Sequence, residues 1–155
     1  MQIRWLFALP LLLLLALAAA ADGAQEDVQS VPTCSLCKMS REKHDFSRAV
    51  VKFRDGTTRS TCSITCAAVE ISRRGEQEVS AILVADYRTR ELIDARTAFW
   101  VMGGSRRGVM TMHPKWAFST EEAAQAFIEE FGGRRVTFPE VMAAAYEDTK
   151  PKHQH

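Results

Sequence analysis

Residues 49–84 read AVVKFRDGTTRSTCSITCAAVEISRRGEQEVSAILV, and this stretch decides the fold. β-Branched and aromatic residues predict strands in it, and the Asp55-Gly56 pair is a strong hairpin signal. Apolar residues at helical spacing then predict a helix that ends at Gly75. The predicted elements are a strand over 49–53, its return strand over 57–61, a helix over 64–74 and a third strand over 79–84. The stretch therefore predicts one strand–hairpin–strand–helix–strand (ββαβ) unit.

A second pass through the same pattern begins at Ala98, where a predicted strand over 98–102 leads into Gly103-Gly104. Residues 119–122 (STEE) predict a capping box, in which the serine and Glu122 side chains satisfy free backbone amides at a helix start. The other predicted elements are return segments over 108–112 and 116–118, a helix that stops at Gly132-Gly133, a closing strand over 135–138 and a short helix over 139–146.

The two passes predict an α+β fold, a single domain of two ββαβ units. Any α+β domain can be divided in this way, but the similar lengths of the two passes favour a structural duplication. The apolar residues that we expect to be buried are Phe53, Ile71, Val84, Trp100, Phe118, Phe127 and Phe138.

Composition and charge exclude several classes of protein. The chain has 155 residues, of which 46% are hydrophobic and 25% charged, and these values are ordinary for a globular domain. Twenty Lys and Arg residues against nineteen Asp and Glu residues give a formal net charge of +1. Because so balanced a chain has no net field to attract nucleic acid, we expect no nucleic-acid partner.

The N-terminal segment predicts export. A positive residue, Arg4, precedes an apolar run over 5–17, and small residues at candidate cleavage positions follow. We expect residues 1–24 to be a signal peptide and the protein to be periplasmic. The alternative is an uncleaved segment that anchors the domain, and we expect no other membrane span. Polar composition predicts a flexible lead-in over 25–32 and a disordered tail over 147–155.

All four cysteines fall in the first unit, as Cys34-x2-Cys37 before the first strand and Cys62-x3-Cys66 around the helix start. A turn and a helix start in one unit can bring four sulfurs together, and a helix N-terminus favours thiolate over thiol. Disulfides are one interpretation, and structural zinc held by four thiolates is a second. Cu(I) is a third, because Met39 places a soft thioether on the same side of an extended chain as Cys37. A thiol–disulfide oxidoreductase that uses the first cysteine pair is a fourth.

Further soft ligands lie in the second unit, where Met110, Met112 and His113 fall on the predicted return strand. Met110 and Met112 would share one face of that strand and could complete a soft-metal site, although methionine also fills cores readily. Met102 precedes two glycines and is expected in the core. The sequence contains no evident Ser/His/Asp arrangement, paired carboxylates or phosphate-binding glycine loop, so we expect a binding protein and not an enzyme.

A series of short segments carries a resemblance to a known family. The segments are Cys37-Lys-Met39, Asp55-Gly56, Ala98-Phe-Trp-Val-Met-Gly-Gly104, Gly108-Val-Met110, residues 117–127 (AFSTEEAAQAF), Gly132-Gly133 and Phe138-Pro-Glu140. Over about residues 33–142 the chain resembles the NosL family, exported copper-binding proteins associated with assembly of nitrous-oxide reductase. The first half also resembles the treble-clef YHS/TRASH metal modules, which have Cys-Gly-Met and Cys-x3-Cys elements.

The resemblance implies two related ββαβ units and a metal-binding domain over residues 33–146. It implies an exported Cu(I) metallochaperone that delivers copper to a periplasmic copper enzyme such as nitrous-oxide reductase. The partners would be that client enzyme or its assembly factors. The candidate ligands for Cu(I), with zinc as the alternative ion, are Cys34, Cys37, Met39, Cys62, Cys66 and Met110, of which Met110 matches the family's Gly-x-Met.

The chain departs from better-known members of that family in three ways. No cysteine lies near the predicted cleavage site, so a lipid anchor is not implied. The Cys62-x3-Cys66 pair stands where many members have aromatic and acidic residues. Lys38 stands where glycine is usual in Cys-Gly-Met. The second cysteine pair would therefore either add sulfur ligands or form a disulfide.

Overall fold

Helices and strands alternate along the chain in two similar series. The computed structural model describes residues 25–150, so the predicted signal peptide and residues 151–155 of the predicted tail lie outside the described residues. In chain order the elements are α1 (Glu26–Ser30), β1 (Ala49–Phe53), β2 (Thr58–Thr61), α2 (Ile64–Arg74), a 3₁₀ turn (Glu76–Glu78), β3 (Val79–Ala85), β4 (Leu92–Asp94), β5 (Phe99–Met102), β6 (Lys115–Phe118), α3 (Glu121–Phe131), β7 (Arg134–Val136) and α4 (Phe138–Thr149).

The strands form two antiparallel sheets with the same local topology. In the first sheet the order is β2-β1-β3-β4, and in the second it is β6-β5-β7. The first strand of each unit thus lies between its hairpin partner and the strand that follows the helix. This arrangement confirms the α+β prediction of two ββαβ units. The short strand β4, which pairs with β3, was not predicted, because three residues carry too little alternation to be recognised.

The main hydrophobic core joins the two units. Side chains of β1, β3 and α2 pack with Trp100 of β5 and with Val141, Met142 and Ala145 of α4. A second cluster consists of Val101, Trp116, Phe118, Ala124 and Phe127 of the second unit. Burial is confirmed for Phe53, Ile71, Val84, Trp100, Phe118 and Phe127. Phe138 is only half-buried, because it begins α4 instead of ending the closing strand.

Both termini of the described chain are more ordered than the sequence predicts. The predicted flexible lead-in contains α1, whose Val28 is buried and whose Asp27 forms ion pairs with Arg41 and Arg48. The predicted tail begins too early, because α4 continues to Thr149 and Asp148 forms an ion pair with the buried Lys115. Among residues 25–150, no helix has the length and apolar character that crossing a membrane requires.

Two predictions for the second unit are wrong in detail. Residues 108–112 are not a strand, and Met110 has a φ of 53°, in the left-handed region that interrupts strand geometry. The return strand is only β6. The cap of α3 is Thr120 and not Ser119: the Thr120 side chain accepts a hydrogen bond of 3.2 Å from the backbone N–H of Ala123. The Ser119 N–H instead donates to Asp86 at 2.6 Å.

Candidate metal centre

The first pair of cysteines lies on a tight turn, residues 33–40, which we call the knuckle turn. Its ends are joined by a bridge between Thr33 and Ser40. The Cys34 N–H donates to the Met39 carbonyl at 2.9 Å, and the Lys38 N–H donates to the Cys34 carbonyl at 3.1 Å. Lys38 has a φ of 65°, a conformation that glycine adopts without strain. The turn thus needs a left-handed residue after Cys37.

The second pair of cysteines brackets the N-terminus of α2. Cys62 directly follows β2, and Ser63 caps the helix by accepting a hydrogen bond of 3.3 Å from the Cys66 N–H. Cys66 therefore lies in the first helical turn, where unpaired N–H groups and the helix dipole favour a negatively charged thiolate. The knuckle turn is attached next to this helix start, because the Ser35 N–H donates to the Ser60 carbonyl of β2 at 2.8 Å.

These elements bring all four thiols together as one group, the cysteine cluster (Cys34, Cys37, Cys62 and Cys66). The four Sγ atoms lie within 4.8 Å of one another, and all four cysteines are free. The Cys37–Cys62, Cys62–Cys66 and Cys66–Cys37 Sγ separations are 3.5, 3.7 and 3.8 Å. Four sulfurs bound tetrahedrally at about 2.3 Å from one ion would be about 3.8 Å apart. The cluster therefore has the donor atoms and the spacing for a thiolate-bound metal ion.

Burial and mutual hydrogen bonding set the protonation of the cluster. The Cys62 and Cys66 thiols hydrogen-bond to Cys34 and hold the pKa of Cys34 far below its ordinary value. Donation to Cys34, together with burial, outweighs the effect of the helix N-terminus at Cys66 and raises its pKa to about 12, and the pKa of Cys62 is raised further still. Cys62 and Cys66 consequently keep their protons in the metal-free cluster, and a bound metal ion would displace them.

The candidate thioethers are placed differently. Met39 is half-buried and packs against the cysteine cluster, together with Leu36 and Phe46. Met110 lies in the irregular segment before β6, and its side chain is 48% exposed. Its neighbour Val109 is the residue that is buried against the cysteines.

Two buried arginines under the knuckle turn were not recognised from the sequence. Arg41 is fully buried and donates to the Thr61 carbonyl at 3.2 Å and to the Asp27 and Val31 carbonyls at 2.7 Å. It also pairs with the Asp27 carboxylate at 2.5 Å, and Arg48, 1% exposed, pairs with the same carboxylate at 2.9 Å. These bonds attach the knuckle turn and α1 to the end of β2. A lone arginine in a charged segment carries no sequence signal of this role.

The family and the fold are supported by comparison with known proteins. The NosL family model matches residues 25–146. The chain is similar to a solved structure, the crystal structure of the copper chaperone NosL from Shewanella denitrificans, with 25% sequence identity and a TM-score of 0.59. The similar region covers 72% of this chain and 90% of that chain. No curated protein matches the chain.

The family match confirms the prediction of a binding protein and not an enzyme. It covers both ββαβ units as well as α1. The four cysteines that could bind a metal ion lie inside the matched region. The chain therefore belongs to the NosL family.

Proposed function

We propose that this protein is an exported Cu(I) carrier that hands copper to a copper enzyme outside the cytoplasm, such as nitrous-oxide reductase, or to its assembly factors. The proposal is supported by the copper chaperone to which the chain is similar and by the donor set of the cysteine cluster. Thiolate and thioether ligands are soft and select Cu(I) over hard cations.

The observation that carries the proposal is the unequal burial of the four cysteines. Cys34, Cys62 and Cys66 are buried, whereas Cys37 is half-buried on the knuckle turn, two residues from the half-buried Met39. A carrier must release its ion by ligand exchange, and exchange needs a ligand that an incoming thiol or thioether can reach. Cys37 and Met39 form that accessible side of the centre, with Cys34, Cys62 and Cys66 behind them. The exposed Met110 is the sixth proposed ligand, and we assign it to the hand-over of the ion.

The spacing of the cysteine cluster favours a second candidate, a structural zinc site. The sulfur separations of 3.5–3.8 Å suit a closed four-thiolate zinc centre as well as they suit copper. Such a zinc ion would be needed for folding and would not be delivered. The metal content of the reduced protein separates the two functions. One tightly held Cu(I) that zinc cannot displace supports the carrier, whereas stoichiometric zinc whose removal unfolds the domain overturns it.

Substitutions in the cluster test which sulfurs hold copper. We expect Cys37→Ser to abolish tight Cu(I) binding, because a protonated hydroxyl replaces a soft thiolate. We expect Met39→Leu to weaken Cu(I) binding with little change in melting temperature, because leucine conserves the side-chain volume. Met142→Leu, in the core contact of α4, is the matched control and should leave the copper affinity unchanged. Unchanged affinity in Cys37→Ser would overturn the assignment.

The second cysteine pair is tested by replacing Cys62 and Cys66 together with serine. Loss of copper with an intact fold identifies them as ligands. Retained copper with a lowered melting temperature identifies them as structural. Export is tested separately by N-terminal sequencing of protein from the periplasmic fraction. A chain that begins near residue 22 or 25 is expected, and a cytosolic chain that begins at Met1 would contradict export.

A further inference from the structure

Two methionines and a histidine outside the cysteine cluster share one cavity in the second unit. Met102 at the end of β5, together with Met112 and His113 of the segment before β6, lines an open cavity of about 470 Å³. Met112 is 67% exposed, an unusual position for so apolar a side chain. Two methionines and one histidine therefore line one cavity that is open to solvent.

Glycines form the opposite part of the cavity. Gly103 and Gly133 both line it, and Gly133 has a φ of 99°. A Cβ atom on Gly133 would lie 3.0 Å from the Met102 carbonyl oxygen and 3.0 Å from a Val101 methyl group. A side chain at this position would strain the backbone beneath Met102, so the glycine pair keeps the two strand ends close and the cavity open.

The orientation of His113 is an independent sign of a ligand site. Its Nδ1 lies 3.0 Å from an oxygen of Asp148, whose side chain is only 2% exposed. The same carboxylate accepts bonds from Lys115 Nζ at 2.6 Å, from the Met112 N–H at 3.1 Å and from the Thr111 hydroxyl. Because a carboxylate only accepts, Nδ1 is the ring nitrogen that donates to it, and Nε2 is the nitrogen left to bind an ion. This is the way in which buried carboxylates orient metal-binding histidines.

We propose that Met102, Met112 and His113 form a second Cu(I) site, separate from the cysteine cluster. Two neutral thioethers and one neutral imidazole suit a soft monovalent ion, and they supply no negative charge for a hard divalent cation. The charge of Arg134, which also lines the cavity, is balanced by Glu140 at 3.1 Å. The site binds more weakly than the thiolate centre and fills after it. The role of this second site in picking up or releasing copper rests on the proposed carrier function. Its ability to bind an ion does not depend on that function.

The test uses Ag(I) as a redox-inert probe for Cu(I), added to reduced protein whose methionine methyl groups are labelled with ¹³C. The first equivalent of Ag(I) is expected at the cysteine cluster. The second equivalent should shift the methyl resonances of Met102 and Met112 and the ring resonances of His113.

Met112→Leu and His113→Gln should each lower the affinity for the second equivalent of Ag(I) at least tenfold and leave the affinity for the first equivalent unchanged. Both residues are largely exposed, so these variants are expected to fold. Met142→Leu and His44→Gln are matched controls and should change neither step.

The same titration in Cys37→Ser separates this proposal from the carrier function. Shifts of Met102, Met112 and His113 that persist in Cys37→Ser support an independent site. Absence of these shifts in the wild-type protein, or an undiminished second step in both Met112→Leu and His113→Gln, overturns the second site and leaves the cysteine cluster untouched. Failure of the cysteine cluster to bind, with the shifts intact, would overturn the carrier function alone.

Discussion

The two ββαβ units start their helices in the same way but carry different chemistry there. Ser63 caps α2 by accepting from the Cys66 N–H, and Thr120 caps α3 by accepting from the Ala123 N–H. When the caps are aligned, Cys62 corresponds to Ser119 and Cys66 corresponds to Ala123. Around β6 and α3 the side chains are aromatic: Trp116, Phe118 and Phe127 pack against Tyr87 of the segment between β3 and β4. The backbone of the unit therefore provides the location of a site, and a few side chains decide whether it can bind metal.

A second likeness between the units is a carboxylate from a terminal helix that neutralises buried cations. Asp27 of α1 pairs with Arg41 and Arg48 under the knuckle turn. Asp148 of α4 pairs with Lys115, whose side chain is 1% exposed, beneath the segment that carries Met112 and His113. Each candidate site thus lies on a loop that an ion pair holds in place. The carboxylate of that pair comes from a helix outside the ββαβ unit.

The largest expected effect comes from removing the first of these carboxylates. Asp27→Asn removes the carboxylate charge that pairs with two buried guanidinium groups, and we expect it to lower the free energy of unfolding by about 3–5 kcal/mol. Asp148→Asn removes the charge that pairs with one buried ammonium instead of two guanidinium groups, so we expect a smaller loss, at the lower end of that range, of about 3 kcal/mol. Urea unfolding of both variants measures the difference.

The control for this comparison is Asp55→Asn, because Asp55 is exposed and pairs with Arg74 on the surface. Exposed ion pairs contribute little to stability, so this variant should unfold close to the wild-type protein. A loss in Asp27→Asn no larger than that of Asp55→Asn would contradict the structural role of α1.

The pH dependence of the free energy of unfolding should reflect the ionisation of the same two carboxylates, those of Asp27 and Asp148. Burial alone would raise the pKa of Asp27, but hydrogen bonds and charge from Arg48 and Arg41 outweigh burial and lower it. Burial is likewise outweighed at Asp148 by Lys115 and Thr111, so its pKa is also lowered. A lowered folded-state pKa contributes stability that is present above the ordinary aspartate value of about 4 and is lost as the pH falls through the folded-state value.

We therefore expect the stability difference between wild type and Asp27→Asn to be largest above about pH 5 and to shrink in more acidic solution. Urea unfolding at pH 7, 5 and 3 is the measurement. A difference that stays constant over this range would show that the carboxylate charge is not the cause.

The helix caps provide a smaller and more closely matched comparison. Ser63→Ala and Thr120→Ala each remove one bond to the third backbone N–H of a helix, and we expect each to cost about 1 kcal/mol. Because Ser63 bonds to Cys66, only Ser63→Ala should also weaken metal binding. Thermal unfolding and metal titration of the two variants test this prediction. Equal metal affinity in both variants would show that the Ser63 cap does not influence metal binding.

The smallest expected effect concerns Lys38, which has a φ of 65°, whereas the second unit has glycine at four of its left-handed positions, Gly103, Gly104, Gly132 and Gly133, and Met110 at a fifth. Relief of left-handed strain gains about 1–2 kcal/mol, and the greater freedom of glycine in the unfolded chain costs about 0.4–1 kcal/mol. We expect Lys38→Gly to raise the free energy of unfolding by about 0.5 kcal/mol. Lys43→Gly, at a position without positive φ, should lower it, and urea unfolding compares the two.

The sequence by itself determined the order of the ββαβ elements and the local pairing of the cysteines. These features depend on near neighbours in the chain: the Asp55-Gly56 turn, apolar residues at helical spacing and the short spacing within each pair of cysteines. Such contacts lie within short segments, so the two ββαβ units and most of the core could be predicted. The cap of α3 was misplaced by one residue, because Ser119 and Thr120 are both good caps and only the bond from Ser119 to Asp86 distinguishes them.

The tertiary structure alone decided how the two pairs of cysteines meet and what supports them. The bond from Arg41 to Asp27 joins residues 14 positions apart. The bonds that Asp148 accepts from Lys115 and Thr111 span 33 and 37 positions. Hydrophobic periodicity does not indicate such pairs, because each partner is a single residue in a polar segment. For the same reason α1 and the end of α4 were predicted as flexible, and residues 108–112 as a strand. The partners in these bonds are far apart in the sequence, and only the folded structure brings them into contact.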